Sequence, residues 1–256
     1  MSNAGGTMLQ SRELTKTYYS TDPPSQVIKG VDLAVGRGEF LVVMGASGSG
    51  KSTLLYNVSG MDRPTGGSVS LEGRDLTSLG DAEMSRVRLT RMGFIFQQAY
   101  FLANLSIRDN ILLPALKAAP RQKAAAASRV DALLERFDIA HVGSHGITQV
   151  SGGQLQRAAI CRALVSEPAV LFADEPTGAL NSSMSAEVMD ALTGVHREGT
   201  TIVMVTHDPA CAARGDRVIY LRDGLVVDSR ALGTWSAEES SRREDDLYAW
   251  LRDMGF

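Results

Sequence analysis

Gly45-Ala46-Ser47-Gly48-Ser49-Gly50-Lys51-Ser52, with Thr53 following, fits the pattern G-x-x-x-x-G-K-[ST]. In such a loop backbone N–H groups wrap phosphate oxygens, the lysine ammonium reaches the β- and γ-phosphates, and the serine hydroxyl holds a magnesium ion. The flanks match what the loop requires. Glu39-Phe40-Leu41-Val42-Val43-Met44 reads as a short strand, apolar after Glu39. Lys51 to Val58 reads as the start of a helix whose N-terminus faces the anion. A Gly/Ser-rich turn alone would carry little weight, but this strand, loop and helix in sequence point to nucleotide binding.

The 256 residues are 44% hydrophobic and 21% charged, with 25 Gly and 8 Pro. That balance suits a loop-rich α/β protein built as one domain, or one domain with a sub-domain. The formal net charge of −3 gives no basic footprint, so no nucleic-acid partner is expected. No run is apolar for long enough to span a bilayer and no basic-then-apolar segment opens the chain, which sets the expectation of a cytoplasmic protein. Cys161 and Cys211 stand singly in apolar, helix-like stretches and read as small buried hydrophobes, not as a disulfide or metal pair. Residues 1–7 have no pattern and read as an expression remnant or loose end.

Outward from the loop, Leu9 to Leu14 and Val27 to Val35 read as strands joined through Thr21-Asp22-Pro23-Pro24. Tyr18 and Tyr19 lie between them, each either an aromatic face for a purine ring or an ordinary half-buried strand residue. Ser68 to Glu72 alternates like a strand, and Met92 to Phe96 is a short buried strand ending at Gln97, at the strand end where ligands collect in α/β proteins. From Asn104 to about Phe137 the pattern turns helical, with Pro120 placed to begin a helix. Val130, Leu133, Leu134 and Phe137 form one apolar face.

Ser151-Gly152-Gly153-Gln154 then opens a helical run from Leu155 to Val165. A small hydroxyl and two glycines before a helix make either a simple cap or a second anion-binding end. Pro168 to Ala173 is continuously apolar, the mark of a strand buried on both faces, and it ends in Asp174-Glu175. Two adjacent carboxylates there are costly unless they work; one suits Mg²⁺ and the other acts on water. Thr201 to Thr206 is another such strand, ending at His207, which in isolation reads as a structural histidine. Arg217 to Asp228 forms a hairpin turning at Asp223-Gly224. After Gly233 the chain becomes polar, then regains apolar spacing at Leu247, Trp250, Leu251 and Met254. That stretch is expected as an amphipathic helix docked on the domain, with a partner-binding face as the other reading.

Taken in order, these stretches resemble the ATP-binding cassette subunit of ABC transporters from about Leu9 to Asp228. Gly45 to Ser52 is similar to that family's phosphate loop, with Thr53 after it implied in nucleotide binding, and Gln97 is similar to its coupling glutamine. Val150-Ser151-Gly152-Gly153-Gln154 is similar to its signature. Val170 to Asp174 with Glu175 resembles the magnesium strand and catalytic glutamate, and His207 the switch histidine. The resemblance implies an α/β P-loop NTPase (RecA-like) core with a parallel sheet, an N-terminal antiparallel β sub-domain and an inserted α-helical sub-domain at about 98–160. The cassette would span 8–234 and a helical tail 235–256. It also implies Tyr18 as the adenine stacker, ATP and Mg²⁺ as cofactors, and Ser52, Gln97 and Asp174 as the residues around the metal. Glu175, His207 and Gln97 would be catalytic, and Ser151, Gly152, Gly153 and Gln154 would act on the nucleotide of a second copy in an ATP-dependent homodimer.

Within the family, Asp174 to Leu180 and Gly93 to Gln98 resemble the group serving macrolide export, lipoprotein release and antimicrobial-peptide resistance, and Leu247 to Leu251 is similar to tails of the peptide-resistance branch. That group implies a transmembrane permease with a large extracytoplasmic domain, a peripheral location on the cytoplasmic face of the membrane, and export or removal of a hydrophobic substrate. A signalling cassette of the cell-division type is the alternative, because its cassette chemistry is the same. Val150 stands where Leu is usual. Asn181 stands where most cassettes have Asp, keeping the hydrogen-bonding shape without the charge; altered coupling between paired sites is expected. Tyr100 and Phe101 are candidate permease contacts or local core.

Overall fold

The computed structural model describes residues 6–256, so residues 1–5 of the expected N-terminal remnant lie outside the described residues. Gly6 and Thr7 belong to the fold instead. The Gly6 carbonyl accepts from the Arg37 N–H at 3.1 Å, and Thr7 pairs with Gly36. Main-chain pairing, which carries no side-chain signal, extends the strand past the last patterned residue. The chain divides into two compact units: residues up to Met84 with Thr201–Phe256, and Ser85–Thr200.

The first unit opens with β1 (Thr7–Tyr18) and β2 (Ser25–Gly36), an antiparallel pair. β3 (Phe40–Met44) follows, all five residues buried, and leads through the Gly45–Gly50 loop into α1 (Lys51–Val58). β4 (Gly66–Leu71) and β5 (Arg74–Asp75) complete an antiparallel sheet in the order β2-β1-β4-β5. α2 (Asp81–Arg91) carries the chain on.

In the second unit β6 (Met92–Phe96) pairs in parallel with β7 (Val170–Asp174), the latter wholly buried. Between them come α3 (Ile107–Ala118), α4 (Lys123–Arg136) and α5 (Gly152–Leu164). Val130, Leu133, Leu134 and Phe137 are buried together, as their spacing requires. Pro120 does not begin a helix: α3 ends at Ala118 and α4 starts at Lys123, so its fixed φ serves the turn. A proline does lie inside α3, at Pro114. α6 (Ser182–Arg197) closes this unit.

The chain returns to the first unit with β8 (Thr201–Val205), the short α7 (Pro209–Ala212), β9 (Arg217–Arg222), β10 (Leu225–Ala231) and α8 (Ser240–Asp253). β3 is flanked by β8 and β9, parallel to both, while β10 is an antiparallel edge, so the sheet is mixed. Cys161 and Cys211 are buried free thiols, and burial pushes the Cys161 thiol up to about 12. Among the described residues no helix is long and apolar enough to cross a membrane.

Candidate functional site

The loop after β3 is shaped by backbone positions that only glycine takes easily. Gly48 and Gly50 have φ of 79° and 100°, in the left-handed region. Gly45 lies so close to β9 that a Cβ there would stand 2.1 Å from the Leu221 carbonyl oxygen and 2.7 Å from Ser49 Oγ. The Lys51 ammonium donates to the Gly45 and Ala46 carbonyls at 2.8 and 2.9 Å, folding back over the loop. α1 begins with no side-chain cap and no acidic residue in its first turn, so its positive end is left for an anion. Ser49 Oγ is buried with no hydrogen-bond partner, a cost that a bound acceptor or donor would relieve. These features fit phosphate at Gly45, Ala46, Ser47, Gly48, Ser49, Gly50, Lys51, Ser52 and Thr53.

Two further residues of the first unit are placed with this loop. The register Val43↔Val205 between β3 and β8 brings Gly45 and His207 to the same end of the sheet. The exposed His207 follows buried Thr206, whose Oγ1 accepts from the Asp208 N–H at 3.1 Å. Tyr18 ends β1, and its hydroxyl donates to Asp62 at 2.9 Å while the Lys16 ammonium lies 4.9 Å from the ring centre. Its phenol is pushed above the ordinary value by burial first and by Asp62, with the Thr53 hydroxyl acting the other way. Tyr18 is thus fixed against the start of α1, while Tyr19 points largely to solvent.

The second unit collects a different set. In the β6–β7 pair Phe96 stands opposite Asp174, so Gln97 and Glu175 follow one another's strands side by side at the sheet's C-terminal edge. The Gln97 amide reaches the turn after Glu175: a Cβ on Gly178 would come 3.0 Å from Gln97 Nε2. Asp174 is buried. Glu175 has φ 49°, a left-handed backbone that costs a non-glycine residue of order 1 kcal/mol and is held by the Glu175 carbonyl accepting from the Gly178 N–H at 3.1 Å. Within this unit Gln97 and Asp174 offer oxygen atoms to a cation, the donor type that Mg²⁺ takes, and in the first unit the Ser52 hydroxyl is a donor of the same kind.

The signature residues form a capping box at the start of α5. Ser151 Oγ accepts from the Gln154 N–H at 3.2 Å, and Gln154 Oε1 accepts from the Ser151 N–H at 2.9 Å. The helix therefore starts at Gly152, three residues before the apolar run at Leu155. Gly152 and Gly153 allow Leu180 and Met184 to approach, each within 3.2 Å of where a Cβ would stand. Asn181 caps α6, its Oδ1 accepting from the Met184 N–H at 3.0 Å.

Some supporting residues escape the sequence. Asp62 anchors both Lys16, at 2.6 Å, and Tyr18. Arg162 holds the stretch after Gln97, donating to the Ala99 and Tyr100 carbonyls and lying 4.3 Å from the Phe101 ring; burial draws its pKa down to about 10. Each partner is distant along the chain, so no local pattern marks the pair. Tyr100 is exposed and Phe101 half-buried.

The family model described as ABC transporter matches residues 28–178, more than half of the chain. The macrolide export ATP-binding/permease protein MacB of Chlorobaculum tepidum is 43% identical over 225 residues, covering 87% of this chain and 34% of that protein. The chain thus spans about a third of the length of such relatives. The uncharacterized ABC transporter ATP-binding protein YknY of Bacillus subtilis is 40% identical over 86% of this chain and 95% of its own length. A solved structure described as a dimeric post-hydrolysis state of the ATP-binding cassette MJ0796, bound to ADP and Pi, superposes with a TM-score of 0.81 at 34% identity, over 89% of this chain and all of that one. With the phosphate loop, the paired strand ends and the capped signature helix in place, the chain belongs to the ABC transporter family and carries its ATP-binding cassette.

Proposed function

We propose that this chain binds MgATP and hydrolyses it as one of a pair of cassettes that drive a membrane-embedded partner. The observation that carries this reading is the β6–β7 register, which sets Gln97 and the strained Glu175 side by side at the end of buried Asp174. A carboxylate and a carboxamide set together at the C-terminal ends of parallel strands stand where ligands collect in α/β proteins.

Phosphoryl transfer to water needs positioning and charge neutralisation more than covalent chemistry. Lys51 turns from the Gly45 and Ala46 carbonyls to the β- and γ-phosphates, and the loop amides receive the remaining oxygens. Tyr18 offers its ring to the adenine. Ser52, Gln97 and Asp174 would hold Mg²⁺, which would supply neutralisation of the charge on the phosphate oxygens. Glu175 polarises the attacking water and His207 contacts the γ-phosphate. Ser151, Gly152 and Gly153 of a second copy close over that phosphate, with Gln154 fixing their loop. The dimeric form of the MJ0796 cassette supports the pairing.

The printed names of the macrolide-export relatives support a permease partner, for which this chain would sit at the cytoplasmic face, and a cargo that is exported or removed. A macrolide, antimicrobial peptide, lipoprotein or similar hydrophobic molecule is the class proposed, and a large extracytoplasmic domain is proposed for the permease. The test is light scattering of the full chain carrying Glu175→Gln, with and without MgATP. A shift from monomer to dimer mass on adding ATP is expected. Dimerisation without nucleotide, or wild-type turnover in this variant, would refute the assignment.

A further inference from the structure

α8 is bound to the first unit more firmly than a trailing helix needs to be. Leu247 and Leu251 are fully buried, and Trp250 lies edge-on to Tyr220 with ring centres 6.3 Å apart, its Nε1–H donating to Asp228 at 2.8 Å. On that base stands Arg243, in the first turn of α8 and buried. Among the described residues its acceptors are all backbone carbonyls. Nε donates to Ala213 at 2.7 Å, Nη1 to Leu232 at 2.9 Å and Thr234 at 3.2 Å, and Nη2 to Gly233 at 2.6 Å and to Gly215.

A guanidinium has five N–H groups in a fixed fork, and here they grip two segments. Leu232, Gly233 and Thr234 form the strap that leads to the tail. Ala213 and Gly215 close α7, against which α8 packs. α7 in turn begins two residues after His207, and its first turn is tied by Asp208, whose side chain accepts from the Ala210 N–H at 2.8 Å and the Cys211 N–H at 3.4 Å. Thus the segment from His207 to Gly215 is fastened at its start by Asp208 and at its end by Arg243. Burial lowers the Arg243 pKa, with Asp216 and Glu239 acting against that.

We propose that Arg243 is a positioning residue for His207: by holding the end of α7, the C-terminal helix fixes where the histidine stands relative to the phosphate loop. This rests on the proposed role of His207 in hydrolysis. Arg243 touches no nucleotide in this scheme, so its loss should leave nucleotide binding alone and slow the chemical step.

The experiment is steady-state phosphate release by the full chain, at a protein concentration where turnover per chain no longer rises with concentration. The variants are Arg243→Met, Arg243→Lys, His207→Ala and the Arg243→Met/His207→Ala pair. Expected are a kcat about tenfold lower in Arg243→Met with KM for MgATP within about twofold, a smaller loss in Arg243→Lys, and no further loss when Arg243→Met is added to His207→Ala. If Arg243→Met does not fold, as judged by far-UV circular dichroism, Arg243→Lys decides on the same criteria. Unchanged kcat, a parallel loss of nucleotide affinity, or losses that multiply in the double variant would each overturn the proposal. Wild-type turnover in His207→Ala would instead refute the reading of His207 on which it rests.

Discussion

Gly45 shows how one backbone position can depend on a strand far along the chain. A methyl group there would meet the Leu221 carbonyl of β9 and the hydroxyl of Ser49, and neither backbone nor loop can yield without opening the phosphate cradle. Gly45→Ala should therefore destabilise the protein by about 1–3 kcal/mol and weaken nucleotide binding by at least about tenfold. A urea melt and a titration with a fluorescent ATP analogue read the two effects, and unchanged affinity would show that the cradle does not need this close approach. Asn181 is a contrasting case. The sequence marks it only as a departure from the family's aspartate, whereas the structure gives it a helix cap that either residue could supply.

At the scale of elements, the start of α5 carries two roles that can be separated. The Ser151–Gln154 capping box stabilises the helix, and the proposed function asks the same serine to meet the phosphate of a second copy. Ser151→Ala removes the cap and should cost about 1 kcal/mol. Ser151→Asp keeps a capping acceptor at the positive end of the helix, so its urea midpoint should stay near the parent while its turnover falls by at least about tenfold, because a carboxylate repels phosphate. Parent-like turnover in Ser151→Asp would remove Ser151 from the nucleotide site. The element types were legible beforehand wherever an apolar run or a heptad-like face reports burial: β3, β7 and β8 are buried throughout, as their continuous apolar runs require. The ends of elements were less so. α5 starts early because a cap recruits two glycines, and β1 runs from Thr7 to Tyr18 because main-chain pairing ignores side-chain pattern.

For the whole molecule, the proposed completion of the site by a second copy would make activity a property of concentration. Phosphate release by the isolated chain should rise with the square of protein concentration at high dilution and become first-order once dimers dominate. A dilution series at saturating MgATP measures this, and first-order dependence throughout would mean that one chain suffices. The length relation to the macrolide-export relatives bears on the same scale. In those proteins the ATP-binding and permease names belong to one polypeptide, of which this chain matches about a third.

The sequence by itself determined the family and marked the groups to which the proposed chemistry is assigned. The glycines, Lys51 and Ser52 of the phosphate loop, the adjacent Asp174 and Glu175, and the Ser-Gly-Gly opening of a helix are contiguous, and contiguous residues report the local backbone geometry that phosphate and metal binding require. Only the tertiary structure decided how those groups are held. The Phe96↔Asp174 register that brings Gln97 to Glu175 joins strands 78 residues apart by the numbering of that pair. The Tyr18–Asp62 bond and the grip of Arg243 on Ala213 and Gly215 likewise join distant residues. Such contacts depend on which faces the folded chain buries together, and a buried cation is satisfied there by carbonyls that every residue carries and no sequence pattern distinguishes.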